Sequence, residues 1–176
     1  MTAGGIMSAL AATATSLQDA ATAYAHACAA VTGADWVRQG PPRGWSMAET
    51  TEHVTTTNSG ICRIVGALRP LGDGEATALL DMDINVHMFD GDGVAPGPGP
   101  TGTWTDAADA LAQFAQSMQA LIEQTQADEA QFREGVFEHP VFGLMDGVQW
   151  LLFAAVHTNS HLSEVKQLGD VAGQTA

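Results

Sequence analysis

The stretch QWLLFAAVHTNSHLSEV, residues 149–165, decides the reading of this chain. It is apolar enough for a buried helix, yet His157 and His161 lie four residues apart in its second half. On a helical wheel of about 100° per residue, His161 falls one turn beyond His157 on the same stripe. Trp150, Phe153, Ala154, Val165 and Leu168 share that stripe, and so does Glu164. The histidines therefore point into a helical bundle. Two inward imidazoles at i and i+4 can grip one metal ion. Core histidines hydrogen-bonded to neighbours are the plain alternative.

The rest of the chain supplies the bundle. Helical patterns run over about residues 6–30, where Gly33 is the stop signal, and from Ser46 to about Arg69, where Pro70 ends the helix. Ser46 and Glu49 have capping-box spacing. A third helix spans about 104–126, with acidic residues in its first turns. The fourth starts at Asp146, with Gln149 at the third helical position, and is closed by Gly169. No segment has convincing strand alternation, so the chain is expected to be all-α, a four-helix bundle forming one domain over 1–176. The connection over 70–103 is rich in Gly, Asp and Pro, with a short helix expected in ALLDMDINVHMF. It is long enough to return along the whole bundle. Helices two and three should then run parallel, in up-down-down-up order, with helix two antiparallel to helix four.

That order brings a third histidine to the pair. His53 lies roughly 10 Å from the start of helix two, and His161 and His157 roughly 10 and 16 Å from the end of helix four. The antiparallel arrangement puts all three in one layer. Glu49, Thr50, His53 and Thr57 share a face of helix two that stays polar for two turns before Ile61. An inward polar stripe reads as a pocket. Three histidines without a fourth obvious protein ligand describe an open site, suited to zinc and also to nickel, iron or manganese.

Several residues are expected around this site. Trp36 and Trp104 should stand at its mouth, with Trp45 as the plug of the core's end. His26, near the end of helix one, is a further pocket candidate. Glu49 and Glu164 lie within a turn of a ligand; either can orient an imidazole or act as general base, and Glu164 is preferred. His87 in the long connection is a weaker candidate, His139 before helix four reads as structural, and DGDG at 90–93 lacks the full calcium-loop pattern.

Composition narrows the function. The chain has 176 residues, with 20 Asp+Glu against 6 Lys+Arg, a formal net charge of -14. Such a surface repels phosphate, which argues against nucleic acid and anionic membranes as partners. Cys28 and Cys62 have no CxxC spacing and read as free thiols. No secretory leader and no run of 18 apolar residues is visible, so a cytoplasmic protein is expected.

GWSMAETTEHV (44–54) and HPVFGLMDGVQWLLFAAVHTNSHLSEV (139–165) resemble the two signatures of the DinB/YfiT-like family, in its DinB_2 branch. The resemblance covers about Ser8 to Leu168. It implies an up-down-down-up four-helix bundle, a homodimer, and a divalent metal held at the positions of His53, His157 and His161. Characterised members of that family are largely thiol-dependent, including bacillithiol and mycothiol S-transferases and a mycothiol-dependent maleylpyruvate isomerase. Scarce lysine with abundant alanine and glycine points to a GC-rich actinobacterial source, which would favour mycothiol as the low-molecular-weight thiol cosubstrate. Two positions depart from the family pattern: Ser160 replaces a frequent Arg, and Glu164 a frequent Gln. The expected function is transfer of such a thiol to a small-molecule electrophile. A metal-dependent hydrolase or isomerase, a non-catalytic metal-binding stress-response protein, and a bundle with empty histidines are the alternatives.

Overall fold

The computed structural model describes residues 8–78 and 99–173. They are mostly helical. Long helices α1 (Ala9–Ala29), α2 (Met47–Val65), α3 (Ala107–Gln124) and α5 (Gly147–Gly173) are joined by a short helix α4 (Glu129–Glu134) and three strands, β1 (Arg69–Pro70), β2 (Gly135–His139) and β3 (Gly143–Asp146). The short helix expected in ALLDMDINVHMF, His87 and DGDG lie largely or wholly outside the described residues.

The helix starts are capped as their sequences require. Ser46 and Glu49 form a reciprocal capping box at α2. Asp146 and Gln149 do the same at α5, each backbone N–H donating to the other's side chain at 2.8 Å. Asp106 caps α3 through the Asp109 N–H, so that helix begins after Trp104 rather than at it. Two stops fall elsewhere than expected. Helix α2 ends at Val65, before Pro70. Helix α5 runs through Gly169 to Gly173. A Cβ at Gly169 would lie 3.7 Å from Val31 Cγ2, in ordinary contact with the segment that follows α1, so the helix continues through this glycine without strain.

The all-α expectation holds in the main, with the addition of a small sheet. Its order is β1-β2-β3, all antiparallel, with Phe137 opposite Met145 and His139 opposite Gly143. Strands of two to five residues are too short to show alternation, and β2 has two exposed residues in succession. The hairpin turn carries Gly143 at φ 75°, where other residues are strained. Pro70 fits at the end of edge strand β1, where its missing donor matters least.

Helix α1 packs on α5 and α3, and α2 packs on α3 and α5. Leu17, Tyr24, Val54, Phe114, Leu121, Leu151 and Val165 are buried between them. The Tyr24 and Phe114 rings lie 4.7 Å apart. Gly147 admits the Phe132 ring and the Leu68 side chain to 2.8 Å of where a Cβ would stand, which seats α4 against the start of α5. A Cβ at Gly60 would meet only the tip of Arg63, at 3.9 Å, among the described residues. Cys28 is buried and Cys62 half-buried, both as free thiols. Among the described residues no helix is long and apolar enough to cross a membrane.

Candidate metal centre

Helix α2 supplies His53, and α5 supplies His157 and His161. One ring nitrogen from each lies within 4.8 Å of the others. The ring centroids are 5.2 Å apart for His53–His157, 5.0 Å for His53–His161 and 4.8 Å for His157–His161. The i, i+4 spacing stacks the α5 pair on one face, and the packing of α2 on α5 brings the third ring across.

The three rings are prepared differently. Burial, reinforced by the neighbouring His161 and His53 and by Arg43, holds His157 well below the usual imidazole range. It is therefore neutral at pH 7, with a lone pair to offer. The Nδ1 of His161 lies 2.8 Å from Glu164 Oε2. The other oxygen of that carboxylate accepts a hydrogen bond from Arg43 Nε at 2.6 Å. Burial by itself raises the Glu164 pKa, but the hydrogen bonds and charges of His161 and Arg43 outweigh it and hold the carboxyl below its ordinary value. An ionised Glu164 fixes the proton of His161 on Nδ1 and turns Nε2 toward the other two histidines.

Aromatic rings wall the cluster. Trp45 is half-buried, 5.1 Å from His53 and stacked 6.5 Å from His161. The Arg43 guanidinium lies over that indole at 5.8 Å. On the other side Phe153 stands 5.9 Å from His157. Behind Phe153, at 5.0 Å, is His139, which also stacks on Phe142 at 4.5 Å. The His139 Nδ1 accepts from the N–H groups of Val141 and Phe142, so this ring serves the hairpin turn in its neutral form.

Burial lowers the His139 pKa. Below its unfolded value of about 6.5 the unfolded chain then binds the proton before the folded one does, so stability falls as pH drops through that window. His139→Asn, which keeps an acceptor near the Nδ1 position, is expected to show a shallower loss of stability between about pH 6.5 and 5 in urea titrations. An unchanged slope would remove His139 as a source of the acid sensitivity.

The other expected site residues are placed as follows. Glu49 is committed to the α2 cap, its Oε2 accepting from the Ser46 N–H at 2.8 Å and hydroxyl at 3.0 Å. Thr50 donates its hydroxyl back to the Ser46 carbonyl at 2.9 Å. Thr57 keeps a buried hydroxyl oxygen without a hydrogen-bond partner. The tryptophan roles are exchanged. Trp36, expected at the mouth, is 1 % exposed and packed in the core, its Nε1 donating to the Trp104 carbonyl, while Trp45 walls the histidines. Trp104 lines a groove between α2 and α3 with Thr55, Cys62 and Ser117. His26 faces a groove with Asp19 and Lys166, between α1 and α5, rather than the histidine cluster.

Two participants escaped the sequence reading. Arg43 lies in a loop, where no periodicity indicates its direction. Glu52 is buried beside His53 and accepts from the Thr101 and Gly102 N–H groups at 2.9 and 3.0 Å, and from the Thr101 hydroxyl. It fastens the far end of the 70–103 connection to α2. The only sequence signal was a glutamate immediately before a candidate ligand.

The family model of the DinB superfamily matches residues 16–165. The chain belongs to the DinB superfamily. No curated protein and no solved structure matches it. The matched span of this DinB-superfamily chain includes all three histidines as well as Arg43 and Glu164. The superfamily is a metal-binding one, and a cluster of three histidines is present here. Three imidazoles are borderline donors that suit zinc, nickel or iron(II) better than calcium or magnesium.

Proposed function

We propose that this chain is a divalent-metal enzyme that transfers a low-molecular-weight thiol, of the mycothiol type, to a small electrophile. The observation that carries the reading is the triangle of His53, His157 and His161, one corner of which is held by a carboxylate. The residues fit the ion. A tetrahedral zinc site sets its nitrogens roughly 3.4 Å apart, and the ring nitrogens here, within 4.8 Å of one another, would have to draw together by up to about 1.4 Å. Zinc is the leading candidate, with nickel, iron and manganese as the others. Bound in the triangle, such an ion lowers the pKa of a thiol or water and supplies a nucleophile near neutral pH.

The protein's own groups do the rest. Neutral His157 presents a lone pair without first losing a proton. Glu164 orients His161. Trp45 and Phe153 limit water around the reacting atoms. In the transfer the thiol sulfur forms a bond to the electrophilic carbon as the bond to the leaving group breaks. The leaving group takes the electron pair, and the thiol proton passes to solvent. Neither glutamate serves as general base in this scheme, because Glu164 is held on both oxygens and Glu49 caps its helix.

The same reading includes a single domain over 1–176 in which the long helices run up-down-down-up. Supporting it, Tyr24 meets Thr51 and Cys28 meets Met47, which sets α1 against α2 in opposite senses. Asn58 meets Met118 and Cys62 meets Gln124, which runs α2 alongside α3. A cytoplasmic location and a homodimer belong to the proposal as well.

The test is thiol consumption. Protein loaded in turn with zinc, nickel, iron(II) and manganese is mixed with mycothiol, bacillithiol or glutathione and a panel of alkyl halides and Michael acceptors. Metal-dependent loss of thiol above the uncatalysed rate is expected, and His53→Ala should abolish it. Tight metal binding with no consumption of any thiol would replace this reading with a non-catalytic metal-binding protein.

A further inference from the structure

The thiol-transfer reading leaves open which electrophile the site accepts, and Arg43 bears on that choice. Its Nε is held by Glu164 and its guanidinium carbon lies 5.8 Å over the Trp45 ring. Among the described residues no other hydrogen bond or ion pair engages this guanidinium, at its two terminal amino groups or elsewhere. The side chain is 34 % exposed, open on one side to solvent. Trp45 in turn touches two of the three histidines, which puts the guanidinium within the span of one small molecule from the metal triangle.

The remaining cations do not compete for this role. Arg38 pairs with Asp35, Arg69 with Glu75 and Arg133 with Asp146. Lys166 lies in the groove with Asp19 and His26, and Arg63 in the groove between α2 and α3. In a chain of net charge -14, Arg43 is the cation placed beside the histidines, where it pairs with Glu164. With a divalent ion bound, the charges of the ion and Arg43 would exceed those of Glu164 and of Glu52, the acid buried beside His53.

We propose that Arg43 is a specificity-determining residue that receives a carboxylate of the electrophile through its two terminal amino groups, so that the enzyme prefers carboxylate-bearing electrophiles. A guanidinium held at Nε and backed by an indole presents a preorganised fork, which suits a planar carboxylate. The side chain loses little freedom when it binds, because Glu164 and Trp45 have already restrained it. A carboxylate seated there places the rest of a small substrate toward the histidines.

The proposal rests on the thiol-transfer reading, and the experiment separates the two. Zinc-loaded wild type, Arg43→Gln and Arg43→Lys are compared on 4-(bromomethyl)benzoate and 4-(bromomethyl)benzamide, which differ in charge but little in shape. Transfer forms the sulfur–carbon bond at the benzylic carbon and releases bromide. Arg43→Gln is expected to raise the ratio of the benzoate KM to the benzamide KM about 10- to 100-fold, on top of any loss through Glu164 that both electrophiles share. Arg43→Lys, which keeps the charge but not the fork, should fall between. Calorimetric binding of the unreactive 4-methylbenzoate and 4-methylbenzamide gives a readout independent of turnover, and only the benzoate should weaken in Arg43→Gln.

An equal loss for both electrophiles in kcat, or in zinc content, would mean that Arg43 only steadies Glu164, and would overturn the proposal. So would benzoate binding that needs zinc but ignores the substitution, or no benzoate binding at all. Arg43-dependent benzoate binding without any thiol transfer would leave this inference standing and remove the transferase reading instead.

Discussion

His157→Ala is expected to strip the divalent metal from the protein. Elemental analysis after mild dialysis should find about one equivalent in the native chain and little in the variant, since losing one of three protein ligands at an open site leaves too few to hold an ion. The variant is informative because His157 is the most deeply prepared ligand, buried and held neutral. A second consequence is thermal. An ion at 100 times its Kd stabilises the folded state by about 2.7 kcal/mol, and that increment should vanish in His157→Ala. A native protein that takes up no zinc, nickel, iron or manganese at neutral pH would sink both the metal centre and the chemistry built on it.

Trp36→Ala is expected to destabilise the chain by about 3–5 kcal/mol, as removal of a large buried aromatic does. For a domain of this size that lowers Tm by roughly 6–20 °C. The indole is 1 % exposed and its Nε1 donates to the Trp104 carbonyl, so it packs the region just ahead of α2 and α3. Trp36→Phe should keep most of the packing and lose less than half as much. If Trp36→Ala instead left Tm unchanged and raised KM, the residue would be a substrate wall, as the sequence suggested.

The legible parts were those with a strong period or a local signature. The histidine stripe of residues 149–165 and the reciprocal caps at Ser46 and Asp146 follow from helix geometry over a few neighbouring residues, and the structure has them. The meeting of the three histidines was anticipated by counting depth along two helices, although α5 runs about a turn past the end that the count used. What escaped depends on loops or on very short elements. The β2–β3 hairpin is too short to alternate. Arg43 reaches Glu164 across 121 residues of sequence, and a wheel says nothing about a loop residue. The exchange between Trp36 and Trp45 has the same origin. Both sit outside the helices, and a tryptophan's composition does not say whether it fills a core or faces a ligand.

The two thiols have a practical bearing on any screen with reactive electrophiles. Burial pushes the Cys28 thiol up to about 12, which leaves almost no thiolate at pH 7 and makes it inert to alkylation. Covalent labelling of cysteine by such test compounds is therefore expected at Cys62, on the groove between α2 and α3 and away from the histidine cluster. A Cys62→Ser form would be the cleaner catalyst for such screens. Intact-mass spectra of it should stay free of adducts, so that any compound that disappears has gone into product.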